Sequence, residues 1–225
     1  MICSYIKQKK NSCTKISLPI TLLHMIVIID YEAGNIHSVQ HACTECGYES
    51  IITQSPKHIE VAKTIIIPGQ GAFKPAMEKM KQLNILPSLK KVIKNDIPIL
   101  GICLGFQIMF ESSDEHGFCE GLGIFPGKVT KISSSTKKVP HMGWNQCNHK
   151  NHPMFKNIKS NAYFYFVHSY CVETTDKTCV TATTDYETSF VSATANGNLW
   201  GTQFHPEKSS DVGLQLLKNF LSLNA

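Results

Sequence analysis

The feature that most limits what this chain can become is the alternation, after Met25, of short unbroken apolar runs with amphipathic segments. Ile26 to Ile29, Tyr48 to Thr53, Thr64 to Ile67 and Ile97 to Ile102 read as strands, and the run ending at Ile102 is too apolar to face water on either side. Such strands are buried on both faces, which requires a mainly parallel sheet with helices above and below. The intervening segments carry helical signals. Asn35 can cap a helix whose apolar stripe is Ile36, Val39, Cys43 and Cys46, stopped by Gly47. Leu86, Leu89, Val92 and Ile93 mark one face of a second, with Pro87 in its first turn. Between Gly123 and Ala195 the texture changes to β-rich stretches, among them Tyr163 to Val167, Cys179 to Thr183 and Phe190 to Ala193. Asn196-Gly197-Asn198 reads as a hairpin turn leading into a strand from Leu199 to Phe204. Ser209 or Ser210 then caps a closing helix carrying Leu214, Leu217, Phe220 and Leu221. The expected class is α/β, a mainly parallel central sheet with helices on both faces and additional antiparallel strands in the C-terminal half.

Composition narrows the function. With 225 residues the chain can bury one sizeable core without metal or disulfide staples. A content of 42% hydrophobic and 17% charged residues excludes a disordered chain, and no apolar run reaches the ~20 residues of a membrane-spanning helix. The net charge of +5 is spread without a basic stripe, so it makes no case for nucleic acid. Nine cysteines, odd in number and scattered, argue against a disulfide framework and for a reducing cytoplasm. Cys43 and Cys46 form a CxxC near the end of a helix with no second pair to answer it, and read as inert thiols. His149 and His152 lack a completing cysteine or carboxylate, so no metal and no cofactor are expected. Lys7, Lys9 and Lys10 before an apolar run imitate a signal peptide, but Pro19 and His24 interrupt it. Residues 1–24 therefore read as an N-terminal extension, poorly ordered or a start-site artefact, before a single domain at 25–225.

Chemistry concentrates in two segments. Gly101-Ile102-Cys103-Leu104-Gly105 follows the central strand and precedes an expected helical Phe106 to Phe110. A nucleophile in a sharp strand-to-helix turn needs small flanking residues, and the amides and positive end of the helix favour a thiolate. Gln203-Phe204-His205-Pro206-Glu207 lies past another strand. A cysteine nucleophile needs a base and the base needs an orienting acceptor; His205 and Glu207, two apart, can project from one side of an extended stretch. The carboxyl ends of parallel strands converge on one crevice, where Cys103 and His205 can meet.

These two segments resemble the class I (triad-type) glutamine amidotransferases, a flavodoxin-like fold. Asp30-Tyr31 with Gly34-Asn35, Val139-Pro140-His141-Met142-Gly143-Trp144-Asn145 and Tyr165-Phe166-Val167-His168-Ser169-Tyr170 are similar, more narrowly, to the glutaminase subunits of imidazole glycerol phosphate synthases. The resemblance implies a Cys103, His205, Glu207 triad that hydrolyses L-glutamine to glutamate and ammonia through a cysteine thioester. It implies oxyanion donors at Gly69, Gln70 and Leu104 and a glutamine pocket lined by Gly71, Gln107 and Glu115. It also implies a (βα)8-barrel cyclase as partner in a heterodimer, met through Asn35, Trp144, Tyr165 and Lys208, which uses the ammonia in histidine biosynthesis. His141 and His168 are expected to shape loops near the site by hydrogen bonding.

Two positions depart from the family pattern. Glu32 stands where the subunit ordinarily has glycine, and Gln70 where the oxyanion strand ordinarily has valine. The loop shape and the partner's control of activity are therefore expected to differ. The same glutaminase chemistry could instead serve amidation of surface sugars. Two further alternatives are a free-standing cysteine hydrolase or peptidase and a non-catalytic partner-binding subunit.

Overall fold

The apolar runs form neighbouring strands. In the computed structural model, which describes residues 25–224, β1 (Ile26–Ile29), β2 (Ser50–Thr53), β3 (Thr64–Ile67) and β4 (Ile99–Ile102) pair in parallel in the order β2-β1-β3-β4. The extension expected at residues 1–24 lies outside the described residues. The chain continues through β5 (Phe110–Ser113), β6 (Cys119–Glu120), β7 (Phe125–Lys131), β8 (His141–His149) and β9 (Ala162–His168). It closes with β10 (Tyr170–Glu173), β11 (Val180–Tyr186), β12 (Thr188–Asn196) and β13 (Leu199–Thr202). The last strand returns to the middle of the sheet and lies parallel to β4, so the order runs β2-β1-β3-β4-β13-β12-β10-β7-β5-β6. Beyond β13 the pairings are mostly antiparallel, and β8 and β9 form a hairpin that joins the sheet through β11.

Side chains alternate across the parallel strands, and each face has its own core. Val27, Ile29, Ile65, Ile67 and Ile99 pack with buried residues of α2 (Pro56–Val61), α3 (Phe73–Gln82) and α4 (Ile85–Lys94). Ile26, Ile28, Ile66, Leu100 and Ile102 pack with those of α1 (Ile36–Glu45) and, later in the chain, of a terminal helix at Ser210–Leu221. Asn35 caps α1 by accepting from the Ser38 amide. Burial, and then the charge of Cys46, pushes the Cys43 thiol up to about 12, so it stays protonated near neutrality.

Three local expectations need correction. The helix after Cys103 is α5 (Leu104–Gln107), a single turn; Phe110 already belongs to β5, because Phe106 and Phe110 are both needed in the core and meet edge to face. Ser209 occupies the N-cap position of α6 (Ser210–Leu221), but its side chain makes no cap. It donates instead to the His205 carbonyl and accepts from the Tyr165 amide. Finally, Pro206–Lys208 is a 3-10 turn rather than extended chain.

Glycine matters where backbones touch. A Cβ on Gly105 would lie 1.8 Å from the Ile67 carbonyl oxygen, so α5 can sit against β3 only through glycine. Gly47, by contrast, has open space but a φ of +90°, the left-handed stop of α1. Gly105→Ala is expected to cost about 3 kcal/mol by overpacking, and Gly47→Ala about 1 kcal/mol by backbone strain alone. Urea denaturation of the two variants checks the difference in size.

Candidate active site

The parallel register of β4 with β13 sets Ile102 beside Thr202, and the Cys103 amide donates to the Thr202 carbonyl at 2.8 Å. Both strands therefore end together, delivering Cys103 and, three residues past Thr202, His205 to one crevice. Cys103 takes φ +53° and ψ −106°, a strained conformation for a residue with a side chain. Its surroundings hold it there: Gly101 and Gly105 leave no room for a Cβ, with Met109, Phe106 and backbone oxygens within 3 Å of where one would stand. Since α5 is a single turn, it carries little dipole. The electrostatic partner of the sulfur is the imidazole.

His205 is 1% exposed, and its Nδ1 and the Glu207 Oε1 are 2.8 Å apart. The 3-10 turn folds Glu207 back onto the ring, doing with a turn what the extended reading expected from strand alternation. Among the described residues the buried Nε2 has no hydrogen-bond partner, and the Cys103 side chain is the titrating neighbour that acts on it most strongly. Burial alone would lower the His205 pKa. The charge of a Cys103 thiolate, hydrogen bonding to it, and the Glu207 carboxylate override that and push it up to about 10. The favoured state of His205 is the imidazolium, oriented by the Glu207 carboxylate.

Cys103 opens into a cavity of about 510 Å³ that Gln70, Gly71, Leu104, Gln107 and Glu115 also line. The segment 68–71, which follows β3, is wedged between two backbones. A Cβ on Gly69 would meet the Tyr31 hydroxyl and Leu104, and one on Gly34 would lie 2.8 Å from the Gln70 nitrogen. The Tyr31 hydroxyl donates to the Pro68 carbonyl. Glu32 holds the adjoining loop with φ +61°, and its carboxylate pairs with Lys79 at 2.8 Å, the local consequence of a charged residue at a left-handed position. Glu115 follows β5; its Oε2 accepts from the Phe73 amide at 2.7 Å and so satisfies the start of α3, which has no side-chain cap of its own. The Gln107 Nε2 donates to the Tyr170 carbonyl and to the Gln203 Oε1, each at 3.0 Å.

Tyr165 and Lys208 stand at the rim, the Lys208 ammonium 6.0 Å from the Tyr165 ring centre. Trp144 stacks edge-on to Tyr165 at 6.2 Å and is 51% exposed, while Asn35 lies apart from the cavity at the start of α1. Sequence reasoning gave no role to Gln203, whose Nε2 donates toward the Cys103 sulfur at 3.6 Å. Its signal was available: two residues before His205 on the same extended segment. The wall formed by Val167, His168, Ser169 and Tyr170 was likewise unassigned as a wall. Among the described residues no group of three or more His, Cys, Asp or Glu could hold a metal ion. No helix there is long and apolar enough to cross a membrane.

A nucleophilic cysteine on a strained turn, paired with a His–Glu couple beside a pocket, is the arrangement of a thiol-dependent acyl transferase. The family model described as glutamine amidotransferase class-I matches residues 27–223, and the chain belongs to that family. Within it, "Imidazole glycerol phosphate synthase subunit HisH" of Sulfurimonas denitrificans is 44% identical over 200 residues, covering 87% of this chain and 97% of that one. The subunit of the same name from Moorella thermoacetica is 44% identical over 196 residues, covering 87% and 93%. Among solved structures, one described as a glutamine amidotransferase superimposes with a TM-score of 0.69 at 16% identity, covering 87% of this chain and 97% of that one. PurLQS from Thermotoga maritima gives 0.68 at 18%, covering 88% and 97%. These two share the fold.

The raised His205 pKa has a consequence for stability. Its contribution is fully present below the unfolded value of 6.5 and is lost as pH rises through about 10. The urea midpoint of the unaltered chain is therefore expected to fall between pH 7 and pH 10.5. His205→Gln should be less stable at pH 7 and flatten that decline, as paired denaturation curves would measure.

Proposed function

We propose that this chain is the glutaminase subunit of an imidazole glycerol phosphate synthase, hydrolysing glutamine and passing the ammonia to a (βα)8-barrel cyclase. The observation that carries the chemistry is the buried Glu207–His205 couple, whose imidazole is coupled electrostatically to Cys103. The thiolate attacks the side-chain amide carbon of glutamine. The resulting oxyanion is met by backbone amides of Leu104 and of the strand at Gly69 and Gln70. The imidazolium gives its proton to the departing nitrogen, and the C–N bond breaks to leave ammonia and a γ-glutamyl thioester. His205 then takes a proton from water, whose oxygen attacks the thioester, and glutamate leaves as the sulfur is restored. The Glu115 carboxylate suits the α-ammonium group of the substrate, and Gly71 and Gln107 complete the pocket.

Ammonia protonates and escapes in water, so its production is useful only beside an acceptor. The partner reading is supported by an exposed apolar face next to the cavity: Met142 at 63%, Trp144 at 51% and Tyr163 at 53% exposure. In the β8–β9 register Trp144 opposes Tyr165, so these side chains share the outer face of the hairpin with the residues at the cavity rim. A barrel cyclase seated there would cover the rim at Tyr165 and Lys208 and receive ammonia directly, making imidazole glycerol phosphate and AICAR in the cytoplasm. Asn35, at the start of a helix that packs on the Pro206–Lys208 turn, would contribute to the same contact.

Coupled assays with the barrel partner and its acceptor test this reading. Glutamine turnover is expected to be low for the chain alone and to rise when both are added. Cys103→Ala should lose glutaminase activity by about 10⁴-fold or more while still co-purifying with the partner. Full coupled activity in that variant would favour a non-catalytic binding subunit, and high turnover without the partner would favour a free-standing hydrolase. Coupling only to a surface-sugar amidation partner would move the ammonia to that pathway.

A further inference from the structure

Two buried histidines outside the triad form one ordered hydrogen-bond chain. The Asn145 side-chain amide donates to the Asp185 carbonyl at 3.0 Å and lies 3.2 Å from the His141 Nε2. The His141 Nδ1 is 3.0 Å from the His168 Nε2, and the His168 Nδ1 is 2.8 Å from the Tyr170 carbonyl. Both ends of this chain are backbone carbonyls, which can only accept, and that fixes every proton between them. The Asn145 nitrogen must be a donor, so His141 Nε2 accepts and its Nδ1 carries the hydrogen. His168 Nε2 accepts that hydrogen, and its Nδ1 carries the one given to Tyr170. Any added proton on either ring would set two N–H groups against each other.

Aromatic rings surround the couple. His141 is stacked between Tyr186 at 4.0 Å and Phe166 at 4.8 Å, with Phe190 edge-on at 5.8 Å. Burial holds both imidazoles well below the usual histidine range, to about 4 for His141 and about 3 for His168. The Tyr170 carbonyl at the end of the chain also accepts from the Gln107 Nε2, so both of its lone pairs are occupied. Gln107 in turn bonds Gln203, whose amide reaches the Cys103 sulfur, and the Cys103 thiol donates to the Val167 carbonyl at 3.8 Å. The segment from Val167 to Tyr170, which carries His168, is one wall of the cavity.

We propose that His141 and His168 are positioning residues for the glutamine site, fixing the Val167–Tyr170 corner and through it the amides that face Cys103. This rests on the glutaminase reading above. Neither histidine hydrogen-bonds the sulfur; His168 lies in the cavity wall, and the couple sets where that wall stands. A buried couple of this kind is worth keeping only if the carbonyl it orients must not move, since an apolar pair would fill the same aromatic box without the cost of desolvating four ring nitrogens.

The test uses the full-length chain and two electrophiles at Cys103. Alkylation by a glutamine-mimicking chloroketone needs the pocket, whereas alkylation by iodoacetamide needs only an accessible sulfur. His168→Phe is expected to slow the first by about tenfold, as for one lost orienting hydrogen bond, and to leave the second within about twofold. His168→Asn, whose amide can still donate to Tyr170, should recover most of the loss. Equal losses with both reagents, or no loss with either, would overturn the proposal. Independently, two-bond ¹⁵N–¹H spectra of the histidines at pH 7 should show His141 and His168 as neutral rings protonated at Nδ1. An Nε2–H form of either would overturn the proposal even where a variant fails to fold. If the unaltered chain resists the chloroketone even with the barrel partner and acceptor present but reacts with iodoacetamide, the glutaminase reading fails and the spectra alone decide the proton order.

Discussion

Everything at the site depends on one strand pairing, the parallel ladder between β4 and β13. Strands separated by about a hundred residues lie side by side in register, Gly101 beside Gly201 and Ile102 beside Thr202, and both end at the same level. The pairing tolerates nothing larger than glycine at that step. A Cβ at Gly201 would lie 2.2 Å from the Phe106 ring, and one at Gly101 2.5 Å from the Met109 sulfur. The gap between the two glycines is where α5 approaches the sheet. A close backbone approach thus produces both the strained turn at Cys103 and the adjacency of the Gln203–His205 segment.

Around that ladder the molecule divides into rigid support and an open mouth. Tyr31, Gly34 and Leu104 clamp the segment at Gly69 and Gln70, and Ser209 ties the His205 carbonyl to the Tyr165 amide. The mouth is the β8–β9 hairpin, apolar on the outside and aromatic within. Charge follows the same division. The imidazole of His205, beside Glu207 and Cys103, is kept protonated, whereas those of His141 and His168 sit among aromatic rings and are kept neutral. One residue type thus serves opposite ends, and the neighbours alone decide which.

Much of this was legible in the chain. Runs such as Ile26–Ile29 and Thr64–Ile67 have no other use than buried parallel strands, and they appear with those bounds. The Gly-x-Cys-x-Gly turn and the His-x-Glu pair announce their chemistry because the residue types and spacings that permit it are few. Other elements were not legible for local reasons. The segment Phe106 to Phe110 is apolar enough for either state, and only the core's demand for Phe110 beyond a single turn made it a strand. Ser209 has the chemistry of a cap, but two longer-range partners outbid the α6 amides for its hydroxyl. Glu115 carries no local sign that its carboxylate will reach the first amide of a helix more than forty residues earlier.

By itself, then, the amino-acid order determined the alternation of strands and helices and singled out Cys103, His205 and Glu207 as the candidate triad, because these follow from patterns a few residues long. Tertiary structure decided what those patterns could not contain: that β13 inserts beside β4, that the wall of the pocket comes from the corner between β9 and β10, and that His141 and His168 share a proton order with Gln107's carbonyl partner. The physical reason is common to all three. Strand order and buried polar chains are settled by which surfaces meet when distant segments collapse, and no local propensity encodes that meeting.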